Sequence, residues 1–485
     1  MGASRARRHR MTGSAGRAVA RTALLIAALT LLGRLAGFGR IFVFGHTVGP
    51  TCLGDTYQAI NSVPNIAFEI VAGGALAGLV IPLLAGGAAG GDRQQVRDGA
   101  SALLSWTLLV LIPLAVIIAV FAEPLTRLLL GHKADCGADA VRVGAAMLRV
   151  FAPQIPLYGL GVVLTGVLQT SRRFGGPALA PLLSSLVVIA AYLAYAWQAP
   201  GATDIGNVSR AEQLTLSVGT TLGVVVLTLS LAVPLTRTGL RLRPLLRFPA
   251  GMARPAARLA GAGMVGLLAQ QVAVAVTLIL GNGAGVPAGR MTSFVFAQTV
   301  FLLPWGVLAV PIATSVFPQL TTDWAAGDRN AYARLVAQSV RGVLLACALS
   351  AAALVAIAGP VARLLVAGAP GPRSSATAIA AGITALAPGL LGYGLFALLS
   401  RCLYAQGGAR RTATATLAGW LAVAVADLGL AQAFPARDRV VALAIGNSIG
   451  MTVLGGLLVL AMARSSGRPA FAGVARTTAG ALAGA

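Results

Sequence analysis

Two arginines lie inside an apolar, glycine-rich stretch that is long enough to cross a bilayer. Arg34 and Arg40 belong to the run LGRLAGFGR at residues 32–40. A charge in the hydrocarbon costs about 3 kcal/mol on insertion scales, so it persists mainly where it lines a watery cavity or meets a partner. Because the planar guanidinium matches phosphate oxygens, the pair predicts a hydrated, anion-binding cavity. The alternative is that both arginines are topology anchors, which snorkel to the headgroups or bond the carbonyls of a broken helix.

Two acidic residues follow this stretch. Asp55 stands at the far turn. There it could pair with Arg40 in an empty cavity, or act as a solvated loop acid or helix N-cap. Glu69 falls in the middle of the returning apolar segment. It could bind a coupling cation or proton, or form a structural ion pair with Arg34.

Amides and prolines in the apolar segments have both functional and packing interpretations. Gln298 could bind sugars, as could three other amides: Asn61, Gln270 and Gln271. Isolated amides in membrane helices also form interhelical hydrogen bonds. Four prolines interrupt the second and eighth segments: Pro64, Pro304, Pro311 and Pro318. Such breaks either let a helix bend during gating or only kink it for packing.

The composition is that of a polytopic membrane protein. Apolar residues make up 57% of the 485 and charged residues 10%, whereas a soluble domain has about 25% charged residues. The formal net charge of +24 comes from basic residues placed between apolar segments. They do not form one face with interleaved aromatic residues, so we exclude nucleic acid as a partner.

A window of about 20 apolar residues predicts an all-α protein with about twelve transmembrane helices. The predicted helices are 22–47, 57–86, 99–121, 141–170, 177–198, 212–236, 258–281, 291–320, 335–358, 376–404, 411–432 and 438–463. Most arginines fall in segments on the side of the N-terminus, so the positive-inside rule places both termini in the cytoplasm. The predicted regions are a basic tail (1–21), two six-helix bundles (22–236 and 258–463), a basic linker (237–257) and a cytoplasmic C-terminal tail (464–485).

The two halves carry an internal repeat. Phe151-Ala152-Pro153 with Tyr158-Gly159-Leu160 aligns with Leu386-Ala387-Pro388 and Tyr393-Gly394-Leu395 at a shift of about 235 residues. Six helices per half is an even number, so the halves share one orientation. They are predicted to be parallel repeats around a central cavity.

The sequence contains no catalytic constellation and no phosphate-binding loop, so we expect a transporter rather than an enzyme, without a cofactor. Transport would be driven by an ion gradient or by the membrane potential. The coupling ion would be Na+ or H+. The four cysteines lack metal-binding spacing. Cys52 and Cys136 fall in predicted external loops, where a disulfide is open to them. We expect two unpaired thiols.

Several motifs recur in characteristic positions: residues 33–40, Gly54-Asp55, Pro64-Asn65 and Gly74-Ala75 with Ile81-Pro82 in the first two predicted helices, and LPWGVLAV at 303–310 with FPQL at 317–320 in the eighth. Together they resemble the motifs of the MviN/MurJ family of the multidrug/oligosaccharidyl-lipid/polysaccharide exporter superfamily. The resemblance implies a fold like that of multidrug (MATE) exporters. Arg34 and Arg40 match the family's first-helix cavity arginines, Asp55 its acidic residue and Asn65 its Pro-Asn amide.

The resemblance implies a flippase that moves lipid II, the undecaprenyl-pyrophosphate-linked peptidoglycan precursor, across a bacterial plasma membrane during cell-wall synthesis. Lipid II, membrane lipids and cell-wall synthesis proteins would then be its partners. Three departures from the family pattern are Phe68-Glu69 in place of a basic pair, Ile41 in place of an acid and Thr299 in place of an arginine. An arginine-poor second helix resembles actinobacterial members. Two alternatives stay open: an exporter of another polyprenyl-linked glycan or a small drug, and a scaffold that transports nothing.

Overall fold

The computed structural model describes residues 25, 28–70, 93–131, 133–171, 173–199, 205–236, 243–246 and 253–466. Several sequence predictions lie outside these residues, namely those for the tail at 1–21, the C-terminal tail beyond 466, most of the linker and the motif at 72–82. All regular elements of the described residues are helical. The predicted all-α membrane fold is confirmed.

The first half forms the N-terminal bundle. Its helices are α1 (Ala28–Thr47), α2 (Cys52–Phe68), α3 (Arg93–Val120), α4 (Ala122–Leu130), α5 (Gly137–Phe151), α6 (Gln154–Thr170), α7 (Gly175–Gln198) and α8 (Arg210–Thr236). The second half forms the C-terminal bundle. Its helices are α9 (Ala253–Gly281), α10 (Arg290–Pro304), α11 (Val310–Ala325), α12 (Arg329–Val366), α13 (Ser375–Leu386), α14 (Gly389–Ala405), α15 (Ala409–Ala433) and α16 (Arg439–Ser466).

Ten helices of the described chain are long and apolar enough to cross a membrane, and a bent pair, α13 with α14, raises the number to eleven. The second predicted span, 57–86, is described only as far as Ile70, so its full length lies outside the described residues. The remaining spans fall where the hydropathy predicts them, because a helix satisfies its backbone hydrogen bonds internally in a bilayer.

The repeat recurs in the packing. The helix interrupted near Pro153 (α5 and α6) corresponds to the one interrupted near Pro388 (α13 and α14). Gly159 on α6 packs against Leu111 of α3, and Gly394 on α14 packs against Cys347 of α12. The same small residue therefore brings the same pair of helices together in each bundle.

The eighth span contains a π-helical segment, Trp305–Ala309, between α10 and α11. Pro304 precedes the segment and Pro311 follows it, and neither proline can donate a backbone hydrogen bond. Val310 N–H bonds to the carbonyl of Trp305, five residues earlier. The prolines therefore alter the helical register at this point. Such π-bulges occur frequently at functional sites.

One end of the molecule carries a disulfide between Cys52 and Cys136. We call it the disulfide end. The expectation of unpaired thiols is wrong, because the fold brings the first residue of α2 beside the loop between α4 and α5. Part of the linker lies at the opposite, linker end, where Arg243 N–H and Leu245 N–H donate to the hydroxyls of Ser101 and Ser105 on α3 (3.2 and 2.9 Å).

The two bundles approach through their backbones at the disulfide end. The carbonyl of Pro50, which follows α1, lies against Gly289 and Gly371 of the C-terminal bundle. Gly289 has a φ of +82° and Gly371 a φ of +120°. Both values favour glycine, and neither position leaves room for a Cβ atom.

Candidate substrate cavity

Arg34 is exposed on α1 and reaches the C-terminal bundle. Its guanidinium contacts the π-helical segment at Gly306, where an added Cβ would collide with Nη1. No carboxylate of the described residues lies within ion-pair distance of Arg34. The predicted Arg34–Glu69 ion pair is therefore not formed in this structure. Among the described residues, Arg34 thus presents a cation without an acidic partner to the C-terminal bundle.

Arg40 lies a little further along α1, half-buried among tyrosines. Tyr57, Tyr158 and Tyr192 all interact with it electrostatically. The hydroxyl of Tyr57 shares a hydrogen bond with that of Tyr192 (2.8 Å) and another with that of Thr220 (2.7 Å). This network orients phenol dipoles around Arg40 without neutralising it. In the part of the chain that is described, Arg40 also lacks an acidic partner.

The tyrosines around Arg40 are site residues that the sequence prediction missed. Tyr158 belongs to the repeated motif, and this was the available signal. Its repeat counterpart, Tyr393, lies in the C-terminal bundle and stacks on Trp305 with 4.5 Å between ring centroids. The Trp305 indole N–H donates to the Tyr393 carbonyl (3.1 Å). The stacked pair Trp305–Tyr393, which we call the aromatic wall, thus lies at the π-helical segment.

Glu69 is half-buried at the end of the described part of α2 and interacts electrostatically with Tyr393 across the bundles. Asn65, one turn earlier, donates its side-chain amide to the carbonyl of Asn61 (2.8 Å). Gln298 is half-buried on α10, and we find no side-chain hydrogen bond from it to the described residues. These side chains lie on helices that border the interface between the bundles.

Asp55 occupies a different environment from the one predicted. It is neither a solvated loop acid nor an N-cap, because Thr51 caps α2 and Asp55 is fully buried in the first turn. It also does not pair with Arg40. Its partner is Lys133 of the loop between α4 and α5, and each side chain of this ion pair is 1% exposed.

The Asp55 carboxylate also reaches the C-terminal bundle. It accepts hydrogen bonds from Gly289 N–H (2.7 Å), Thr292 N–H (2.7 Å) and the Thr292 hydroxyl (2.8 Å). Asp55 therefore caps α10 from the other bundle, where an anion is favoured by the helix dipole. Lys133 in turn donates to Asn282 Oδ1 (3.4 Å). Four hydrogen bonds thus join the bundles at the disulfide end, and each uses Asp55 or Lys133.

One further acid is buried in the C-terminal bundle. Asp427 on α15 is fully buried and accepts a hydrogen bond from the Thr277 hydroxyl (2.7 Å). Its other oxygen lies against Gly446. Within the described ranges, no group of three or more His, Cys, Asp or Glu side chains is arranged to hold a metal ion.

The two repeat-related helical bundles have the fold of MATE-type transporters. The inward closed conformation of a lipid II flippase MurJ matches this chain with a TM-score of 0.75 at 16% identity, over 95% of this chain and 91% of that one. An inward-facing multidrug MATE transporter gives 0.72 at 16% identity, over 92% and 98%. The outward-facing form of a MATE transporter gives 0.63 at 16% identity, over 91% and 95%.

The family follows from sequence. The profile described as "Lipid II flippase MurJ" matches residues 44–484, so the chain belongs to the MurJ family. The lipid II flippase MurJ of Burkholderia cenocepacia is 27% identical over 396 residues, which cover 80% of this chain and 73% of that protein. The probable lipid II flippase MurJ of Rhizobium meliloti is 25% identical over 351 residues, and the match spans 70% of this chain and 62% of the relative's length.

Proposed function

We propose that this protein is a lipid II flippase that works by alternating access, with Arg34 and Arg40 binding the pyrophosphate. The observation that carries the proposal is the position of these two arginines. Arg34 reaches the C-terminal bundle at Gly306, Arg40 lies among tyrosines of the N-terminal bundle, and neither pairs with an acid of the described chain. Relatives named as lipid II flippases support the choice of substrate.

A pyrophosphate headgroup with sugars and a peptide cannot cross hydrocarbon unaided, because its charges would lose their hydration. Fixed guanidinium groups replace part of that hydration and bind phosphate oxygens in a bidentate manner. The polyprenyl tail stays in the bilayer while the headgroup passes between the bundles. Asn65, Gln298 and the Trp305–Tyr393 pair are suited to contact the sugars, through hydrogen bonds and stacking respectively.

The orientation of the molecule gives the direction of transport. The arginine distribution predicts that the disulfide end faces outward, and a disulfide is favoured in the oxidising environment outside the cell. The four hydrogen bonds of Asp55 and Lys133 close that end. In this orientation the closed end is the outer one, so lipid II would enter from the cytoplasmic leaflet at the linker end.

The coupling ion is also a proposal. Glu69 is half-buried and interacts with Tyr393 across the bundles, so protonation of its carboxyl would change the charge next to the aromatic wall. Neutralising Glu69 as Arg34 binds the pyrophosphate would reduce repulsion between two anions in one cavity. We therefore propose H+ as the coupling ion and Glu69 as its carrier.

Complementation of a strain depleted of its own flippase tests the function. The variants are Arg34→Ala and Arg40→Ala, and the matched control is Arg149→Ala, an exposed arginine on α5 of the same bundle. Outer-leaflet lipid II is assayed directly, with equal membrane levels of all proteins. We expect rescue by the wild type and the control, and loss of rescue by either cavity variant.

Failure of a well-expressed wild type to restore outer-leaflet lipid II would reject lipid II as the substrate. Rescue by wild type and by both cavity variants alike would reject the role of the arginines. In the second case a different set of cavity residues would have to bind the pyrophosphate.

A further inference from the structure

Lys133 is the single lysine of the chain, and it lies in the loop that joins α4 to α5. Its ammonium group is buried at the junction of the two bundles, bonded to Asp55 on one side and to Asn282 on the other. Neither contact belongs to the arginine-lined cavity. The position indicates a role in joining the bundles.

We propose that Lys133, fastened in place by the Cys52–Cys136 disulfide, is a positioning residue that stabilises closure of the disulfide end by acting through Asp55. This inference rests on the alternating-access mechanism proposed above. It adds to that mechanism a covalently held side chain that sets the balance between closed and open states.

Charge burial gives the direction of the effect. In the closed state the Asp55 carboxylate is removed from water, and it accepts three hydrogen bonds from neutral donors of the C-terminal bundle. Those donors leave when the bundles separate, and water takes their place. A buried carboxylate without a cation is costly, whereas a hydrated one is not. Lys133 therefore stabilises the closed state more than the open state.

The disulfide explains how a loop lysine keeps this position. Cys136 follows Lys133 by three residues, and Cys52 precedes Asp55 by three residues. The bond therefore fastens the loop that carries Lys133 to the helical turn that carries Asp55. A free loop would have to order the long lysine side chain on each closure, which costs conformational entropy. Removing the bond is expected to favour the open state, as removing Lys133 does.

The repeat shows that this arrangement is one-sided. At the shift of 235 residues, Pro287 and Gly371 stand at the positions of the two cysteines, and Gly368 stands at that of Lys133. The C-terminal bundle instead contributes backbone N–H groups, a hydroxyl and an amide to the contact. The buried ion pair and the covalent bond thus belong to one bundle and act on the other, whose half-buried Arg290 adds an electrostatic attraction to Asp55.

A distance measurement across the disulfide end tests the proposal without any substrate. Spin labels are attached at Arg142→Cys on α5 and Arg373→Cys, both exposed, in the full-length protein in lipid nanodiscs. The free cysteines Cys347 and Cys402 are buried. Double electron–electron resonance then gives the ratio of open to closed molecules. Because no lipid II is present, the result is independent of whether lipid II is the substrate.

We expect Lys133→Met to raise the open-to-closed ratio by about threefold or more, and Lys133→Arg to restore the wild-type ratio. Cys52→Ser with Cys136→Ser, and reduction of the wild type, should raise it in the same direction. The control is Arg127→Met, which removes an exposed cation of α4 that pairs with Glu123. It should leave the ratio unchanged.

A wild-type distance distribution in folded Lys133→Met protein would overturn the proposal. If that variant does not fold, Asn282→Ala replaces it, because this change removes the acceptor of Lys133 on the opposite bundle and otherwise only a local hydrogen bond to the Leu278 carbonyl. An unchanged ratio in Asn282→Ala together with an unchanged ratio after reduction would equally overturn it. A merely structural role would lower the melting temperature of Lys133→Met without altering the distance ratio or its rescue by arginine.

Discussion

The two bundles share one fold, but they contribute different chemistry to the interface between them. The N-terminal bundle supplies most of the charges: Arg34 and Arg40, which pair with no acid of the described chain, the carboxylate of Glu69 and the buried Asp55–Lys133 pair. The C-terminal bundle supplies backbone N–H groups, the aromatic wall and the π-helical segment. Duplication of a fold therefore does not duplicate its site.

The repeat-related tyrosines show the difference at a single position. Tyr158 lies near Arg40, and Tyr393 lies near Glu69. Tyr393 also stacks on Trp305, which fixes its ring, whereas Tyr158 packs against Phe68 with 5.0 Å between centroids. The same side chain therefore accompanies a cation in one bundle and a carboxylate in the other.

Hydroxyl-to-carbonyl bonds and close glycine contacts join helices in both bundles. In the N-terminal bundle, hydroxyls of α8 donate to backbone carbonyls of the neighbouring helices, with Thr228 bonding Leu157 (3.1 Å) and Thr221 bonding Val150 (3.0 Å). In the C-terminal bundle, Gly455 on α16 packs directly on Gly392 of α14. A hydroxyl contact can exchange with another acceptor, whereas the contact of Gly455 with Gly392 leaves no room for a side chain.

Substitution of the buried acids is expected to give the largest effect and tests the difference in charge between the two bundles. Asp55→Asn leaves Lys133 buried without a counter-charge, and we expect a loss of about 3–5 kcal/mol in the free energy of unfolding. Asp427→Asn retains the hydrogen bond from Thr277 and leaves no buried cation of the described chain unpaired, so its loss should be below about 1 kcal/mol. Apparent melting temperatures in detergent measure both. Equal losses would show that the charge of Asp55 does not distinguish the bundles.

Close packing in the C-terminal bundle gives the next largest effect. An added Cβ at Gly455 would lie 2.7 Å from Gly392 Cα, whereas one at the adjacent Gly456 meets nothing within 4 Å. We expect Gly455→Ala to destabilise the protein by about 1–3 kcal/mol through overpacking. Gly456→Ala should be neutral or stabilising, because alanine favours the helix by up to about 1 kcal/mol. Thermal unfolding of the two variants compares them, and similar behaviour would contradict the close helix contact.

The contact between Arg34 and Gly306 tests how one bundle positions the charge of the other. Gly306→Ala should displace the end of the flexible Arg34 side chain without preventing folding. We expect transport to become about tenfold slower, which corresponds to a free-energy difference of about 1.4 kcal/mol. Outer-leaflet lipid II in the complementation strain is the measurement. Adding Gly306→Ala to Arg34→Ala should cause no further loss, because both changes act on the same contact. Additive losses would show that Arg34 and Gly306 affect transport independently.

The repeat-related tyrosines should give the smallest effect. Tyr158→Phe removes a hydroxyl dipole from the surroundings of Arg40, and we expect transport to fall by about two- to threefold. Tyr393→Phe keeps the ring that stacks on Trp305, so its effect should be smaller. Initial transport rates at matched protein levels compare the two variants. A larger loss for Tyr393→Phe would place the functional hydroxyl in the other bundle.

The span positions and the repeat could be predicted because hydrophobicity and proline placement are local properties of the chain. The interruptions near Pro153 and Pro388 follow in the same way. The placement of Arg34 and Arg40 on α1 also follows from local sequence. What lies opposite them does not, since the contact with Gly306 depends on how two distant helices pack.

The surroundings of Asp55 show why the remaining contacts were missed. Its partner Lys133 is 78 residues away in sequence, on a loop whose path is set by tertiary structure. The signal that could have found it was the spacing of the cysteines. One stands three residues before Asp55 and the other three residues after Lys133, so a bond between them brings the acid and the base together.

The packing of Gly371 against Pro50 suggests a route to the opposite conformation. The closed disulfide end has no room for a side chain there, because a Cβ at Gly371 would lie 2.5 Å from the Pro50 carbonyl oxygen. A substitution such as Gly371→Ser would act as a wedge against the closed state, because only separation of the bundles moves Pro50 away from the added side chain. Such a variant would give crystallographers and electron microscopists an outward-open sample without an inhibitor or a cross-linker.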